Sequence, residues 1–147
     1  MKALLQRVTE AKVSVEGETI GKIGRGIMLL LGVVCDDTQN DIDWLAEKVV
    51  NLRIFDDSEG KMNLSLLDIK GEMLIVSQFT LCGECKKGRR PSWSKAAPPD
   101  IAKDMYLKFI DAVKKCGIKT EHGKFQAVMA VEIHNDGPVT LMLDTKL

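Results

Sequence analysis

The sequence has no excess of either charge: 21 Lys and Arg balance 21 Asp and Glu. Attraction of the whole molecule to a polyanion is thereby excluded, so any such contact must come from a local patch. Long hydrophobic runs are missing too. The longest nearly pure apolar run, Ile27 to Cys35, is far short of the roughly 20 residues that cross a bilayer as a helix, and no membrane contact is expected. Near the start, Gln6, Arg7 and Glu10 interrupt any signal-peptide core, which gives cytoplasmic location as the expectation. Internal repeats and low-complexity segments are absent. Histidine is scarce. His122 and His134 are too far apart for a metal-binding pair, and neither lies in the pattern of a hydrolytic triad. Of the four cysteines, Cys82 and Cys85 form one CxxC. With no second CxxC, and in a reducing compartment, free thiols are expected rather than a disulfide, a zinc site or a redox pair.

What is present is the material of one soluble globular domain. Its 147 residues, 45% hydrophobic and 29% charged, suffice for a single core over residues 1–147. Leu4 to Val8 and Lys12 to Val15 read as strands, Glu16-Gly17-Glu18 as a turn, and Thr19 to Ile23 as a short strand. After Gly24-Arg25-Gly26, the apolar run Ile27 to Val34 predicts a strand buried on both faces. Thr38 reads as a helix N-cap with Asp41 three residues on. Ile42, Leu45, Ala46, Val49 and Leu52 recur at helical spacing, with Trp44 expected to pack on the sheet at the helix edge. Residues 53–67 read mostly as loop, Glu72 to Phe79 as strand, and 82–97 as a basic loop. Pro98-Pro99-Asp100 opens a second helix whose apolar stripe is Ile101, Met105, Phe109 and Val113, closed by Cys116-Gly117. Ala127 to Ile133 and Val139 to Leu143 alternate as strands joined by a tight turn at 135–138. Met28, Met73, Met129 and Met142 lie in apolar strands as core fillers. The fold class is therefore α+β: a mostly antiparallel, curled or barrel-like sheet with two main helices packed on it.

Three segments bear on chemistry. Ser77-Gln78-Phe79-Thr80-Leu81 ends a hydrophobic strand in polar side chains that orient a substrate, or it is simply a strand entering a turn. Thr80 as a nucleophile requires a base within hydrogen-bond reach, and no histidine pattern supplies one. Lys86, Lys87, Arg89, Arg90 and Lys95 put five cations into ten residues. That is the one dense basic cluster, suited to phosphate neutralisation or to solvation alone. Trp93 within it either stacks on a base or packs the loop. Asn135-Asp136-Gly137-Pro138 is a turn on any reading. By frequency alone its Gly-Pro bond is trans, since only about one X-Pro bond in twenty is cis.

These segments also carry a resemblance. Gln6-Arg7-Val8, Leu52-Arg53-Ile54-Phe55, Gly60-Lys61-Met62-Asn63, Val76 to Leu81, Lys87 to Ser92 and Asn135 to Thr140 are similar, in this order, to the D-aminoacyl-tRNA deacylases. The SQFTL and NDGPVT segments match that family's two signatures. The resemblance implies a homodimer with active sites at the interface, no metal and no organic cofactor. It implies hydrolysis of the ester between a D-amino acid, or glycine, and the terminal ribose of tRNA. Ser77, Gln78, Phe79, Thr80 and Leu81 would form the pocket floor, with Phe125 and Met129 in its wall. Gly137-Pro138, after Asn135, would be a cis pair that enters the partner's pocket and excludes L-amino acids, and Arg7 would fix its orientation. Catalysis would draw on the tRNA 2′-hydroxyl, with Thr80 orienting the ester. Lys86, Lys87, Arg89 and Arg90 would hold tRNA phosphates, and no DNA partner is implied. Two residues depart from the pattern: Gln126 stands at a usually small position, and Trp93 replaces Phe. A tRNA-binding module without catalysis, and a deacylase of the same fold acting on L-aminoacyl-tRNA, are the alternatives.

Overall fold

A computed structural model describes residues 1–147. The first strand, β1 (Lys2–Val15), is continuous, where the sequence suggests two. On one side it pairs antiparallel with β3 (Gly26–Gly32) through its first half and with β2 (Glu18–Ile23) through its second. Its other side is covered by the C-terminal strand β8 (Ala130–Asp144). Two parallel pairings follow, β3 with β6 (Glu72–Ser77) and β6 with β7 (Lys119–His122). The sequence pattern does not predict β7, because Lys119, Thr120, Glu121 and His122 carry no apolar alternation. The six-stranded sheet is thus antiparallel in three pairings and parallel in two.

The sheet curls until β2 meets the far side. A Cβ on Gly21 would lie 3.2 Å from the His122 carbonyl and 3.4 Å from the Leu74 side chain. At Gly26 the parallel pairing itself excludes a side chain: a Cβ there would fall 1.8 Å from the Glu72 carbonyl oxygen. Residues alternate across β3, which explains its apolar run. Ile27, Leu29 and Leu31 join the main core beneath the helices, while Met28 faces a smaller core inside the curl with Val8, Val13, Ile23, Leu74 and Val76.

Helix α1 (Gln39–Asn51) starts as expected. The Asp41 carboxylate accepts hydrogen bonds at 2.8 Å from both the amide and the hydroxyl of Thr38. Its Ile42, Leu45, Ala46 and Val49 are buried, but Trp44 points outward, 45% exposed, with the Lys48 ammonium over its ring. Helix α2 (Pro99–Lys115) has Pro at its first position and ends before Gly117 at φ +88°. Its buried stripe is Ala102, Met105, Tyr106, Phe109, Ile110 and Val113. Ile101 lies off that stripe and is exposed, as is Met142 on β8, so neither is a core residue. Residues 53–67, expected as loop, contain a small hairpin of β4 (Phe55–Asp56) and β5 (Met62–Leu64).

Two corrections fall on the segments of chemical interest. Strand β6 stops at Ser77, and Phe79–Cys82 turns as a short 3-10 helix, so Thr80 leaves the sheet. The stretch around Gly137 is no hairpin either. Both of its flanks pair with β1: Gln6 faces Thr140 and Val8 faces Asn135. Two steps along β1 therefore match five along β8, and the surplus residues are pushed out as a bulge.

Candidate active site

A cavity of about 850 Å³ opens at the C-terminal end of β6. Ser77, Gln78 and Phe79 form one side, Phe125, Gln126 and Met129 the other, and Trp93 also lines it. Phe79 and Trp93 meet edge to face at 5.7 Å between ring centres. The lining is mostly apolar with a few convergent polar groups, the usual make-up of a small-ligand site. Gln126 is held at φ +63°, a left-handed conformation uncommon for a residue with a side chain. Five expected residues are thus brought together: Ser77, Gln78, Phe79, Phe125 and Met129. Met129 lines the pocket and also packs, partly buried, against the smaller core.

Thr80 and Leu81 follow on the 3-10 turn and do not line the cavity. The Gln78 side-chain amide, at Nε2, donates to Thr80 Oγ1 at 2.5 Å. An amide is no base, and a donated hydrogen bond makes the hydroxyl a poorer nucleophile. His122 turns its Nδ1 to the Gly123 carbonyl at 2.8 Å, and His134 is exposed on β8. The cavity lining includes neither.

A second group forms around the bulge. Buried Arg7 donates through Nη1 to the Ile54 carbonyl at 2.8 Å, and its Nε lies 3.1 Å from the Asp136 carboxylate. Asp56 stands 3.6 Å from the same guanidinium. Asn135 uses its whole amide. Nδ2 donates to the carbonyls of Arg7 and Val139 at 2.9 and 3.1 Å, and Oδ1 accepts from Gln6 and Thr140. Between these anchors Gly137-Pro138 is cis, and Gly137 has φ +115°. A Cβ on Gly137 would come within 3.0 Å of both Arg7 Nη2 and the Val139 side chain. Gly137 and Pro138 are exposed and stand outside the cavity of their own chain.

The basic loop is tied at its base by paired backbone hydrogen bonds between Glu84 and Ser92, at 2.8 and 3.0 Å. Lys86, Lys87, Arg89 and Arg90 are all exposed. Cys82 is buried and Cys85 exposed, and both are free thiols. Burial pushes the Cys82 thiol above its ordinary pKa. No group of His, Cys, Asp and Glu forms a metal-binding cluster. A smaller recess of about 310 Å³, beside Trp44 and Lys48 of α1 and Arg53 just after it, contains none of the expected site residues.

Residues 4–144 match the family model described as D-Tyr-tRNA(Tyr) deacylase. The chain belongs to this family. It is 63% identical over 146 residues to a D-aminoacyl-tRNA deacylase of Thermosipho africanus, covering 99% of this chain and 98% of that one. It is 58% identical to a protein of the same name from Geobacter sulfurreducens, covering 99% and 96%. Among solved structures, one described as "c-Myc DNA Unwinding Element Binding Protein" superposes with a TM-score of 0.93 at 44% identity, covering 99% of both chains. Another, described as a probable eukaryotic D-amino acid tRNA deacylase, gives 0.84 at 19% identity and shares the fold. Family membership makes the chain a hydrolase, a reaction class that the geometry alone leaves open.

Proposed function

We propose that the chain hydrolyses D-aminoacyl-tRNA, and glycyl-tRNA, as a homodimer with two composite sites, each made of one protomer's cavity and its partner's Gly137-Pro138 bulge. The observation that carries this reading is the separation of two site halves within one chain. A well-formed cavity has no chiral gate of its own, and a rigid turn, anchored by Arg7 and Asn135, points outward. A two-fold axis supplies each half to the other.

The chemistry requires little of the protein. A water adds to the ester carbonyl, the C–O bond to the ribose 3′-oxygen breaks, and that oxygen leaves as a hydroxyl with the proton the water gives up. The adjacent 2′-hydroxyl assists this transfer. The first amides of a helical turn have no intrahelical acceptor, which leaves the N–H groups of Phe79 and Thr80 free to hold the ester or its oxyanion. Thr80 acts on the ester through Gln78, which lines the cavity and donates to its hydroxyl, and it forms no acyl intermediate. The partner's bulge meets the substrate at its α-carbon. An L-side chain is directed into that backbone, a D-side chain away from it, and glycine has nothing to exclude. Selection by backbone is indifferent to side-chain identity, so one site serves many D-amino acids. Lys86, Lys87, Arg89 and Arg90 dock tRNA phosphates beside the mouth.

Mixed dimers test the shared site. Phe79→Ala damages the cavity and Gly137→Ala the bulge, and each homodimer should be inactive. Random exchange of equal amounts of the two makes about half of the dimers heterodimers, each with one intact site of its two, so activity on D-aminoacyl-tRNA should return toward about a quarter of wild type. Two inactive parents that stay inactive after verified exchange contradict the composite site.

A further inference from the structure

The cavity lies where two parallel strands part. β6 and β7 are paired through Ile75 and His122, and the last bond between them runs from the Gly123 amide to the Ile75 carbonyl at 3.0 Å. Beyond this point β6 continues to Ser77, Gln78 and Phe79 on one side of the cavity. The other chain turns away through Gly123 to Phe125, Gln126 and Met129 on the opposite side.

Tyr106 of α2 occupies the fork. It is 2% exposed, and its hydroxyl donates to the Ile75 carbonyl at 2.9 Å, with the Gly123 carbonyl at 3.5 Å. One proton is thus shared between the two arms at the place where their own pairing ends. The ring packs against Phe125, with centroids 6.0 Å apart, so the side chain that holds the fork also backs the wall. The surroundings leave little slack: a Cβ on Gly123 would meet the Met129 sulfur at 2.7 Å and a Val76 methyl at 3.4 Å. Burial pushes the phenol well above its ordinary pKa, which keeps the hydroxyl proton in place throughout the working pH range.

We infer that Tyr106 is a positioning residue for the deacylase pocket, fixing the gap between the Ser77–Phe79 side and the Phe125–Met129 wall by bridging the carbonyls of Ile75 and Gly123. It touches no substrate and acts through Phe125 and the fork. This rests on the reading of the cavity as the aminoacyl site. An α2 tyrosine needed only for the core would have its effect through folding, and would change the amount of active enzyme and nothing else.

Tyr106→Phe keeps the ring against Phe125 and removes the bridge. Single-turnover hydrolysis of D-tyrosyl-tRNA, at a temperature where circular dichroism shows the variant folded, should give a half-saturating enzyme concentration raised by about tenfold, near the worth of one lost neutral hydrogen bond. The maximal rate should stay within about twofold of wild type, because the scissile ester is held by Phe79 and Thr80. Phe125→Leu, which retains the hydroxyl but thins the wall, should show the same pattern, and if Tyr106→Phe does not fold, wild-type constants for Phe125→Leu overturn the inference, because Tyr106 is argued to act through that ring. A Tyr106→Phe enzyme with wild-type constants, or one that loses only maximal rate, overturns the inference. Phe79→Ala is the control for the site. If it too leaves hydrolysis intact, the cavity is not the aminoacyl site and the inference falls with it. If it abolishes hydrolysis while Tyr106→Phe behaves as wild type, only the role of Tyr106 is refuted.

Discussion

The Nε of Arg7 lies 3.1 Å from the carboxylate of Asp136, and this pair joins the middle of the first strand to the residue before Gly137. The same guanidinium reaches the Ile54 carbonyl, so it is braced from the opposite side. A planar fork can serve both directions at once, and a lysine ammonium on its flexible stem cannot. Arg7→Lys should therefore lose about 1–3 kcal/mol of stability, the range for a hydrogen bond to a charged group. Its ratio of D- to L-aminoacyl-tRNA hydrolysis should drop roughly tenfold or more, as a misplacement of about 1 Å can cost about 100-fold. Chemical denaturation and paired rate measurements check both. An unchanged ratio separates Arg7 from chiral selection.

Thr80→Ala should keep most of its activity. The hydroxyl receives a hydrogen bond from Gln78, and no histidine lines the site. A substrate with a 2′-deoxy terminal ribose should instead react slowly with the intact enzyme, by a factor on the order of 10² or more if the 2′-hydroxyl performs the proton transfer. Trapping of an acyl group on Thr80 by mass spectrometry would reverse the assignment.

The basic loop should set affinity with little regard to tRNA sequence. Lys86, Lys87, Arg89 and Arg90 are exposed on a loop closed by Glu84 and Ser92. Replacing Lys87 and Arg90 with Gln should reduce the slope of log K against log salt by about 1.4 to 1.8, at about 0.7–0.9 for each phosphate that is no longer neutralised. Filter binding at several salt concentrations gives the slope. The same slope in the variant places tRNA elsewhere.

Acid should loosen the start of α1. Burial raises the pKa of Asp41, but hydrogen bonds from Thr145, from Thr38 and from Lys146 outweigh it and hold the carboxyl well below its ordinary range. A carboxyl depressed in the folded state contributes stability above its unfolded pKa and loses it as pH falls through the folded value. Asp41→Asn should cost about 1 kcal/mol at neutral pH, the usual worth of such a cap. The gap between wild type and variant should narrow as pH drops below about 4, where the unfolded carboxyl begins to protonate. Thermal melts of both proteins across that range check this, and a gap independent of pH rules out the carboxylate as its source.

The elements with strong local signals were legible in the sequence. Thr38 with Asp41 marked the start of α1, Pro99 opened α2, and the run from Ile27 fitted a strand with a core on each face. What failed depends on partners distant in sequence. Asn135 to Pro138 has the composition of a hairpin turn, yet its flanks pair with β1 and not with each other. Lys119 to His122 becomes a strand only because β6 offers it an edge. Ser77 to Phe79 stand out in the sequence as polar residues ending an apolar strand, Phe125 and Met129 only through the family resemblance, and the cavity between them is visible only in three dimensions. Tyr106 was hidden among the apolar residues of α2, since its role lies in one hydroxyl placed at the fork.

Chiral selection is the central claim, and ester loss from matched substrates tests it most directly. The same tRNA, charged once with D-tyrosine and once with L-tyrosine, is incubated with enzyme at a concentration where the dimer is verified by light scattering. The D-ester should be hydrolysed at least roughly 100-fold faster, a difference of about 2.7 kcal/mol in transition-state stabilisation, and the L-ester should remain near its spontaneous rate. Equal hydrolysis of both, or faster loss of the L-ester, contradicts selection by the Gly137-Pro138 bulge.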